Sequence, residues 1–321
     1  MRWIGEDKYE AVMKEEILPK LESCRETGFD ERIPGQKIYY EHFSPVKAKG
    51  VIVLSHGFTE SIKKFYESVW YMLEEGYEVW GVDHRGHGRS WRANDNPYVV
   101  HAEHFHDYIL DLMHFTDHLV KPAAGSLPLT LYGHSMGGCI AAWTIEEYPD
   151  LFRKAVLTSP MLGLSFAPIP TPVMFAGATI LGIGERKKQP LQSVTSFRTE
   201  PDFANSCDSS ECRYLYYFQQ CREDEALQTT SPSIGWGLEA VKACAKVTSK
   251  KETAKIRIPV LLCQAGNDTM VKNASQDLFA SRVPTCEIFR VPGMKHELYM
   301  TDSPTLRPYW EKIFSFLSES E

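Results

Sequence analysis

The stretch LYGHSMGG, residues 131–138, decides how the rest of the sequence is interpreted. It places Ser135 between Gly133 and Gly137, the spacing of a serine held on a sharp turn between a strand and a helix. A phosphate-binding loop or an ordinary turn is the alternative, and the short motif alone does not choose between them. The flanking sequence favours the strand–turn–helix interpretation, because an apolar run precedes Ser135 and a run of small apolar residues follows it.

Short apolar runs alternate with helical patterns along most of the chain. The predicted strands are 37–43, 50–57, 77–84, 129–135, 154–160, 258–266 and 286–293. Apolar periodicity predicts helices over 61–76, 106–120, 136–149 and 303–317. Alternation of this kind predicts an α/β fold, in which helices cover both faces of a mostly parallel sheet. Reactive side chains are then expected in the loops at the carboxyl ends of the strands.

Residues 161–255 interrupt the alternation, because no run there has the pattern of a core strand. The stretch 165–184 is apolar and rich in Pro and Gly, and 210–221 is rich in aromatic residues. We therefore expect a mostly helical cap above the Ser135 loop. The predicted division is an N-terminal helical extension (1–34), a core in two parts (35–160 and 256–321) and the cap (161–255).

Composition and charge exclude several classes of protein. A formal net charge of −7 argues against binding to nucleic acid, which requires concentrated Lys and Arg. No run of 18 apolar residues is present that could span a bilayer. The first 24 residues are charged throughout and do not have the pattern of a signal peptide, so we expect a cytoplasmic protein. The eight cysteines show no metal-like spacing, and we expect reduced thiols and no metal or cofactor.

A nucleophilic serine needs a base and an acidic group that orients the base. His296 is the only histidine after Ser135, and it follows the last predicted strand. Asp268 follows the preceding buried strand, which gives the chain order Ser, Asp, His expected for this kind of turn. Asp277 and Asp302 are the rival acids, one inside a helical segment and the other beyond His296.

Two backbone N–H groups are needed to hold an oxyanion. One is expected from Met136, directly after the nucleophile, and the other from Phe58, in the loop that follows an early strand. Gly57 allows the turn that directs the Phe58 amide inward. We expect His56 to be a structural residue of this loop, with a second base as the alternative.

One helical face carries side chains that bind metals in other proteins. Asp107, Asp111, His114 and His118 recur at the spacing of a single face, and this pattern is compatible with zinc. A solvated face, or hydrogen bonds to neighbouring loops, is the interpretation that we favour.

Six segments carry a resemblance to a known family: SHGFTES, GYEVWGVDHRGHGRS, LYGHSMGG, LTSPMLG, QAGNDTMV and GMKHEL. Over about residues 35–318 the chain resembles α/β-hydrolases of the lysophospholipase and monoacylglycerol lipase branch, and bacterial inner-membrane-associated lysophospholipases in particular. The resemblance is weaker over 165–230, and its relatives include aminopeptidases, thioesterases and general carboxylesterases. Matched position by position, it implies the triad Ser135, Asp268 and His296 and the oxyanion donors Phe58 and Met136.

The sequence therefore predicts a serine hydrolase without a cofactor, acting on esters of medium or long acyl chains such as lysophospholipids or monoacylglycerols. A short-chain carboxylesterase or thioesterase is the alternative. A non-catalytic binding protein of the same fold is disfavoured, because all three triad positions are filled. The apolar stretch 166–183 is expected to supply an acyl pocket and a transient contact with a membrane surface, or only to pack on the core. We expect no obligate protein partner.

Overall fold

A mostly parallel sheet forms the centre of the computed structural model, which describes residues 2–165, 184–191 and 196–319. The strands are β1 (Arg25–Asp30), β2 (Ile38–Phe43), β3 (Gly50–Ser55), β4 (Tyr77–Val82), β5 (Val99–Val100), β6 (Leu129–His134), β7 (Lys154–Thr158), β8 (Ser231–Pro232), β9 (Val260–Ala265) and β10 (Cys286–Val291). Eight of them form one sheet in the order β1-β2-β4-β3-β6-β7-β9-β10, while β5 pairs with β8. β2 is antiparallel to β1 and β4, and the other neighbours are parallel.

All seven predicted strands belong to this sheet. The central strands β3, β4, β6, β7 and β9 are buried along their whole length, as expected for strands covered on both faces. Alternate residues of β3 belong to different apolar clusters, Val51 and Val53 to one and Ile52 and Leu54 to the other. The sheet therefore separates two hydrophobic cores, which confirms the predicted α/β architecture.

Helices cover both faces of the sheet. The described α-helices are α1 (Tyr9–Val12), α2 (Leu18–Ser23), α3 (Tyr66–Glu74), α4 (His106–Phe115), α5 (Lys121–Ala124), α6 (Met136–Glu147), α7 (Glu211–Glu223), α8 (Ile234–Val247), α9 (Lys250–Thr253), α10 (Asn273–Arg282) and α11 (Ser303–Ser318). Helices α4, α6 and α8 contribute to one core, and α1, α2, α3 and α11 contribute to the other. A π-helical turn, Thr116–Val120, continues α4 into α5.

The N-terminal segment contains a strand as well as the predicted helices. Tyr9, Met13, Ile17 and Leu21 are buried at four-residue spacing and join the core that includes α3 and α11. After these helices, β1 pairs antiparallel with β2 at the edge of the sheet. The sequence gives no signal for β1, because RETGFD is mostly polar and an edge strand is held by its backbone to one partner.

The predicted cap is described only in part. Residues 166–183 and 192–195 lie outside the described residues, and with them the apolar stretch predicted as an acyl pocket. Over the described parts of 161–255, no strand joins the eight-stranded sheet, and α7 and α8 are the longest elements. In the described chain, no helix combines the length and apolar character required to cross a bilayer.

Candidate active site

Ser135 lies at the turn between β6 and α6, at the carboxyl edge of the sheet. Its φ of 53° is in the left-handed region, which a residue with a side chain seldom occupies. The flanking glycines allow the surrounding backbones to approach, since a Cβ on Gly137 would lie 2.0 Å from the Ser55 carbonyl oxygen. A Cβ on Gly133 would lie 2.4 Å from the carbonyl oxygen of Gly137. The sharp turn predicted from the motif is therefore present, and its backbone is strained at Ser135.

The loops after β6, β9 and β10 bring three predicted side chains together. The hydroxyl of Ser135 lies 2.8 Å from Nε2 of His296. The other ring nitrogen, Nδ1, lies 2.6 Å from a carboxylate oxygen of Asp268. Because a carboxylate accepts, Nδ1 donates to Asp268, which leaves Nε2 free to accept the serine proton. The arrangement is that of a nucleophile, a base and an orienting acid.

The environment of Asp268 keeps its carboxyl ionised. Burial raises the pKa of Asp268, but the hydrogen bond and charge of His296 and the N–H groups of Met270 and Val271 lower it further than burial raises it. Those amides lie 2.8 and 3.0 Å from Oδ1, so both carboxylate oxygens are occupied. The pKa of Asp268 is therefore below its ordinary value, and the group is a fixed negative charge beside the imidazole.

Ser159 contacts the backbone of His296, and the sequence analysis did not identify it. Its hydroxyl donates to the backbone carbonyl of His296 at 2.7 Å, and its own N–H donates to Cys263 O at 2.8 Å. Ser159 is fully buried and has a φ of 40°, a second strained residue at this edge of the sheet. It therefore ties the His296 loop to the end of β7. The sequence offers only its position one residue after a predicted core strand as a signal.

The two predicted oxyanion donors are Met136, directly after Ser135, and Phe58, in the loop after the neighbouring strand β3. Met136 begins α6, so its N–H is one of the groups at the helix start that have no partner within the helix. Phe58 follows Gly57 in the loop after β3. Within the described chain, neither the Phe58 nor the Met136 N–H donates a hydrogen bond. Both amides are therefore available to an acceptor that enters the site.

His56 is a structural residue of the Phe58 loop. Its Nε2 accepts the His84 N–H at 2.9 Å, and its Nδ1 therefore donates to the Gly57 carbonyl at 2.7 Å. Burial lowers the pKa of His56 to about 4, so the ring is neutral at physiological pH. The interpretation of His56 as part of the loop, rather than as a second base, is confirmed.

A buried network of charges links the Phe58 loop to the His296 loop. Glu60 accepts the Gly57 N–H at 2.6 Å, and its other oxygen accepts from Lys64 at 3.2 Å and from the Tyr299 hydroxyl at 2.6 Å. Lys64 also binds Glu297, the residue after the histidine. All three charged side chains are about nine-tenths buried. Sequence reasoning gave no signal for this network, because its members come from separate segments.

The rival acids have other partners. Asp302 accepts the Thr305 N–H at 3.0 Å and caps α11. Asp277 lies in α10 and binds Gln264 and Arg290. Of the three acids considered from the sequence, the structure brings Asp268 to His296.

Cap residues border the candidate site. Trp236 of α8 packs on Phe58 with ring centroids 4.3 Å apart, and the Glu297 N–H donates to the Cys207 carbonyl at 3.2 Å. A cavity of about 230 Å³ opens beside these contacts. Thr59 and Glu297, the chain neighbours of Phe58 and His296, line it together with Asp208. The described part of the cap therefore contributes walls beside the loops that carry Phe58 and His296.

The sheet order, the strained serine turn and the Ser–His–Asp geometry define an α/β-hydrolase. The chain belongs to the family described as serine aminopeptidase, S33, whose model matches residues 46–303. Family and fold together confirm the resemblance inferred from the sequence.

Several relatives match most of the chain. Lysophospholipase L2 of Escherichia coli strain K12 is 28% identical over 83% of this chain and 75% of its own length. The monoacylglycerol lipase of Mycolicibacterium smegmatis is 31% identical over 83% of this chain and 88% of its own length. Among solved structures, a soluble variant of the Saccharomyces cerevisiae monoglyceride lipase, in complex with a substrate analog, matches with a TM-score of 0.73. It is 20% identical and covers 92% of this chain and 95% of that one, which establishes likeness of fold.

Proposed function

We propose that the protein is a serine hydrolase that cleaves carboxylic esters of medium or long acyl chains, through Ser135, His296 and Asp268. The observation that carries the proposal is the position of His296, whose two ring nitrogens lie 2.8 Å from the Ser135 hydroxyl and 2.6 Å from the Asp268 carboxylate. Relatives named as lysophospholipases and monoacylglycerol lipases support ester hydrolysis.

The reaction has two halves. Nε2 of His296 takes the hydroxyl proton of Ser135 as its oxygen attacks the ester carbonyl carbon. Negative charge on the carbonyl oxygen is held by the N–H groups of Phe58 and Met136. When the bond to the alcohol breaks, His296 gives its proton to the departing oxygen. Water then attacks the acyl-serine with His296 as base, and the fatty acid leaves as the serine regains its proton.

Lysophospholipids and monoacylglycerols are the substrates that we propose. The names of the relatives support this class, and so does the apolar sequence 166–183, which is long enough to contact an acyl chain. The cavity that Glu297 and Asp208 line is mostly apolar, with a few polar groups, which suits a lipid. We also propose a transient contact with a membrane surface through 166–183, to be tested by co-sedimentation with phospholipid vesicles.

The test is hydrolysis of p-nitrophenyl esters from acetate to palmitate, with lysophosphatidylcholine and a monoacylglycerol, by the wild type and by Ser135→Ala. We expect activity that rises with acyl length, and a loss of roughly 10⁴- to 10⁶-fold in kcat for the variant. An unchanged thermal midpoint in Ser135→Ala is the control that the fold is intact. Hydrolysis retained by Ser135→Ala would overturn the assignment.

The same series separates the alternatives. Activity confined to acetate and butyrate would make the protein a short-chain carboxylesterase, and preference for an acyl thioester of matched length would make it a thioesterase. An aminoacyl p-nitroanilide belongs in the panel, because the family is described by an aminopeptidase. We expect little or no cleavage of the anilide, because the relatives that match most of the chain are named as lysophospholipases and monoacylglycerol lipases.

A further inference from the structure

The polar face of α4 is divided between two sets of partners. Asp107 and Asp111 bind the guanidinium of Arg32 at 2.9 and 2.8 Å. The two histidines that share this face, His114 in α4 and His118 in the π-helical turn that follows, both bind Asp30, the last residue of β1. This division gives the four helical side chains hydrogen-bond partners on neighbouring segments, as the sequence analysis favoured. It also reveals a cluster that the sequence did not suggest.

The cluster is a buried carboxylate between two accessible imidazoles. Nδ1 of His114 donates to Oδ2 of Asp30 at 2.7 Å, and Nδ1 of His118 donates to Oδ1 at 2.9 Å. The Asp30 side chain is 4% exposed, whereas His114 is 35% and His118 64% exposed. Each carboxylate oxygen is therefore bound to the Nδ1 atom of a partly exposed ring.

We propose that Asp30, His114 and His118 form a binding site for a zinc ion that fastens the edge strand β1 to α4. Imidazole nitrogen and carboxylate oxygen are ligands that zinc takes in proteins, with a water completing four-coordination. One ligand atom from each residue lies within 4.8 Å of the other two.

The distances are close to those of a metal site. Two ligand atoms about 2.0 Å from a tetrahedral ion lie about 3.3 Å apart. The present separations of 2.7 and 2.9 Å are those of hydrogen bonds, so an ion requires each ring to retreat by about 0.5 Å. Because both rings are partly exposed, we expect them to make this movement. On binding, each neutral ring loses the proton on Nδ1 and gains one on Nε2, and solvent carries the exchange.

The placement gives the ion a structural role. β1 is an edge strand with a single partner, β2, so its amides depend on few contacts. Arg32 already ties the segment after β1 to α4 through Asp107 and Asp111. An ion at Asp30 adds a second tie to the same helix, and it does so independently of the proposed triad.

The test is calorimetric titration of the full chain, stripped with EDTA, with ZnCl₂. Wild type is compared with His118→Ala and Asp30→Asn, and His106→Ala is the matched control. His106 lies on the same helix and also faces a carboxylate, Glu147 at 3.0 Å, but among the described residues it belongs to no three-ligand set. We expect a site in the wild type whose Kd rises at least about tenfold in both cluster variants and is unchanged in His106→Ala.

The eight free cysteines can also bind zinc. The proposed site is therefore judged by the difference in Kd between the wild type and the variants. A second readout is hydrogen exchange of the β1 amides, which zinc should slow in the wild type and not in His118→Ala. Equal zinc affinity in the wild type and His118→Ala would mean adventitious binding elsewhere and would overturn the proposal. So would the absence of binding to the wild type.

Discussion

Two buried aspartates of this protein bind histidine Nδ1 atoms, and they belong to different kinds of site. Asp268 holds His296 at 2.6 Å, and Asp30 holds His118 at 2.9 Å. In the first pair the other ring nitrogen meets the Ser135 hydroxyl at 2.8 Å, and the histidine side chain is 6% exposed. In the second pair the histidine is 64% exposed. The chemistry of a carboxylate–imidazole pair thus depends on which group contacts the other ring nitrogen and on how deeply the histidine is buried.

The largest effect expected from this comparison is that of Asp268→Asn. The asparagine oxygen can keep the Met270 and Val271 N–H bonds, which directs the amide NH₂ toward His296. The ring then carries its proton on Nε2 and cannot accept the serine proton, so we expect kcat to fall roughly 10⁴-fold with little change in KM. Ester hydrolysis at saturating substrate is the measurement. Activity near that of the wild type would place the acid elsewhere.

Lys64→Met tests the network that encloses the first pair. It leaves Glu60 and Glu297 buried without their shared cation, and we expect a destabilisation of about 3–5 kcal/mol. Because those carboxylates lie beside the Phe58 and His296 loops, kcat should fall by up to about 10²-fold. Denaturant unfolding and kcat are the two measurements.

Two further variants separate charge from packing in this network. Lys64→Arg keeps the cation and should recover part of kcat. Lys63→Met removes a neighbouring, more exposed lysine, 29% exposed, and should change little. Normal activity and stability in Lys64→Met would show that the network does not position the site.

The burial of several histidines also predicts how stability depends on pH. Burial lowers the pKa of His56 to about 4 and lowers those of His84 and His134 well below the ordinary value near 6.5. As the pH falls below about 6.5, these histidines become protonated in the unfolded chain but stay neutral in the folded protein. The free energy of unfolding therefore decreases toward pH 4. Each such histidine contributes about 1.4 kcal/mol per pH unit in that range.

The thermal midpoint measured between pH 7.5 and 5 tests this prediction. It should fall steadily below about pH 6.5. The pKa of Asp268 is below its ordinary value, so its contribution to stability is lost at lower pH, as the pH falls through that lowered pKa. A midpoint independent of pH over this range would mean that the buried histidines become protonated without cost.

The smallest effect on catalysis is expected from Asp30→Asn. The substitution weakens hydrogen bonds to His114 and His118, and we expect a loss of about 1–3 kcal/mol in stability. Ester hydrolysis should stay within about twofold of the wild type, since none of these residues contacts the proposed triad. A large loss of kcat in folded Asp30→Asn would contradict the view that the Asp30 cluster is separate from the proposed triad.

The sequence alone predicted seven of the eight strands of the sheet and the three side chains of the proposed triad. The seven predicted strands were found because buried parallel strands are continuous apolar runs, a local signal. Ser135 was found because Gly133 and Gly137 mark a turn that only small residues allow. Asp268 and His296 were found because each follows a strand, and parallel strands deliver their carboxyl ends to one edge.

The tertiary structure determined the hydrogen-bond and ion-pair partners of the polar side chains. Helical spacing placed Asp111 and His114 on one face. It could not show that Asp111 binds Arg32 and that His114 binds Asp30. Asp30 lies on a polar edge strand that has no sequence signal, because its partner is chosen by backbone pairing. Likewise Lys64 and Glu297 are 233 residues apart and meet only when the sheet is assembled. Local periodicity is a property of the chain, whereas the pairing of distant charges is a property of the packed fold.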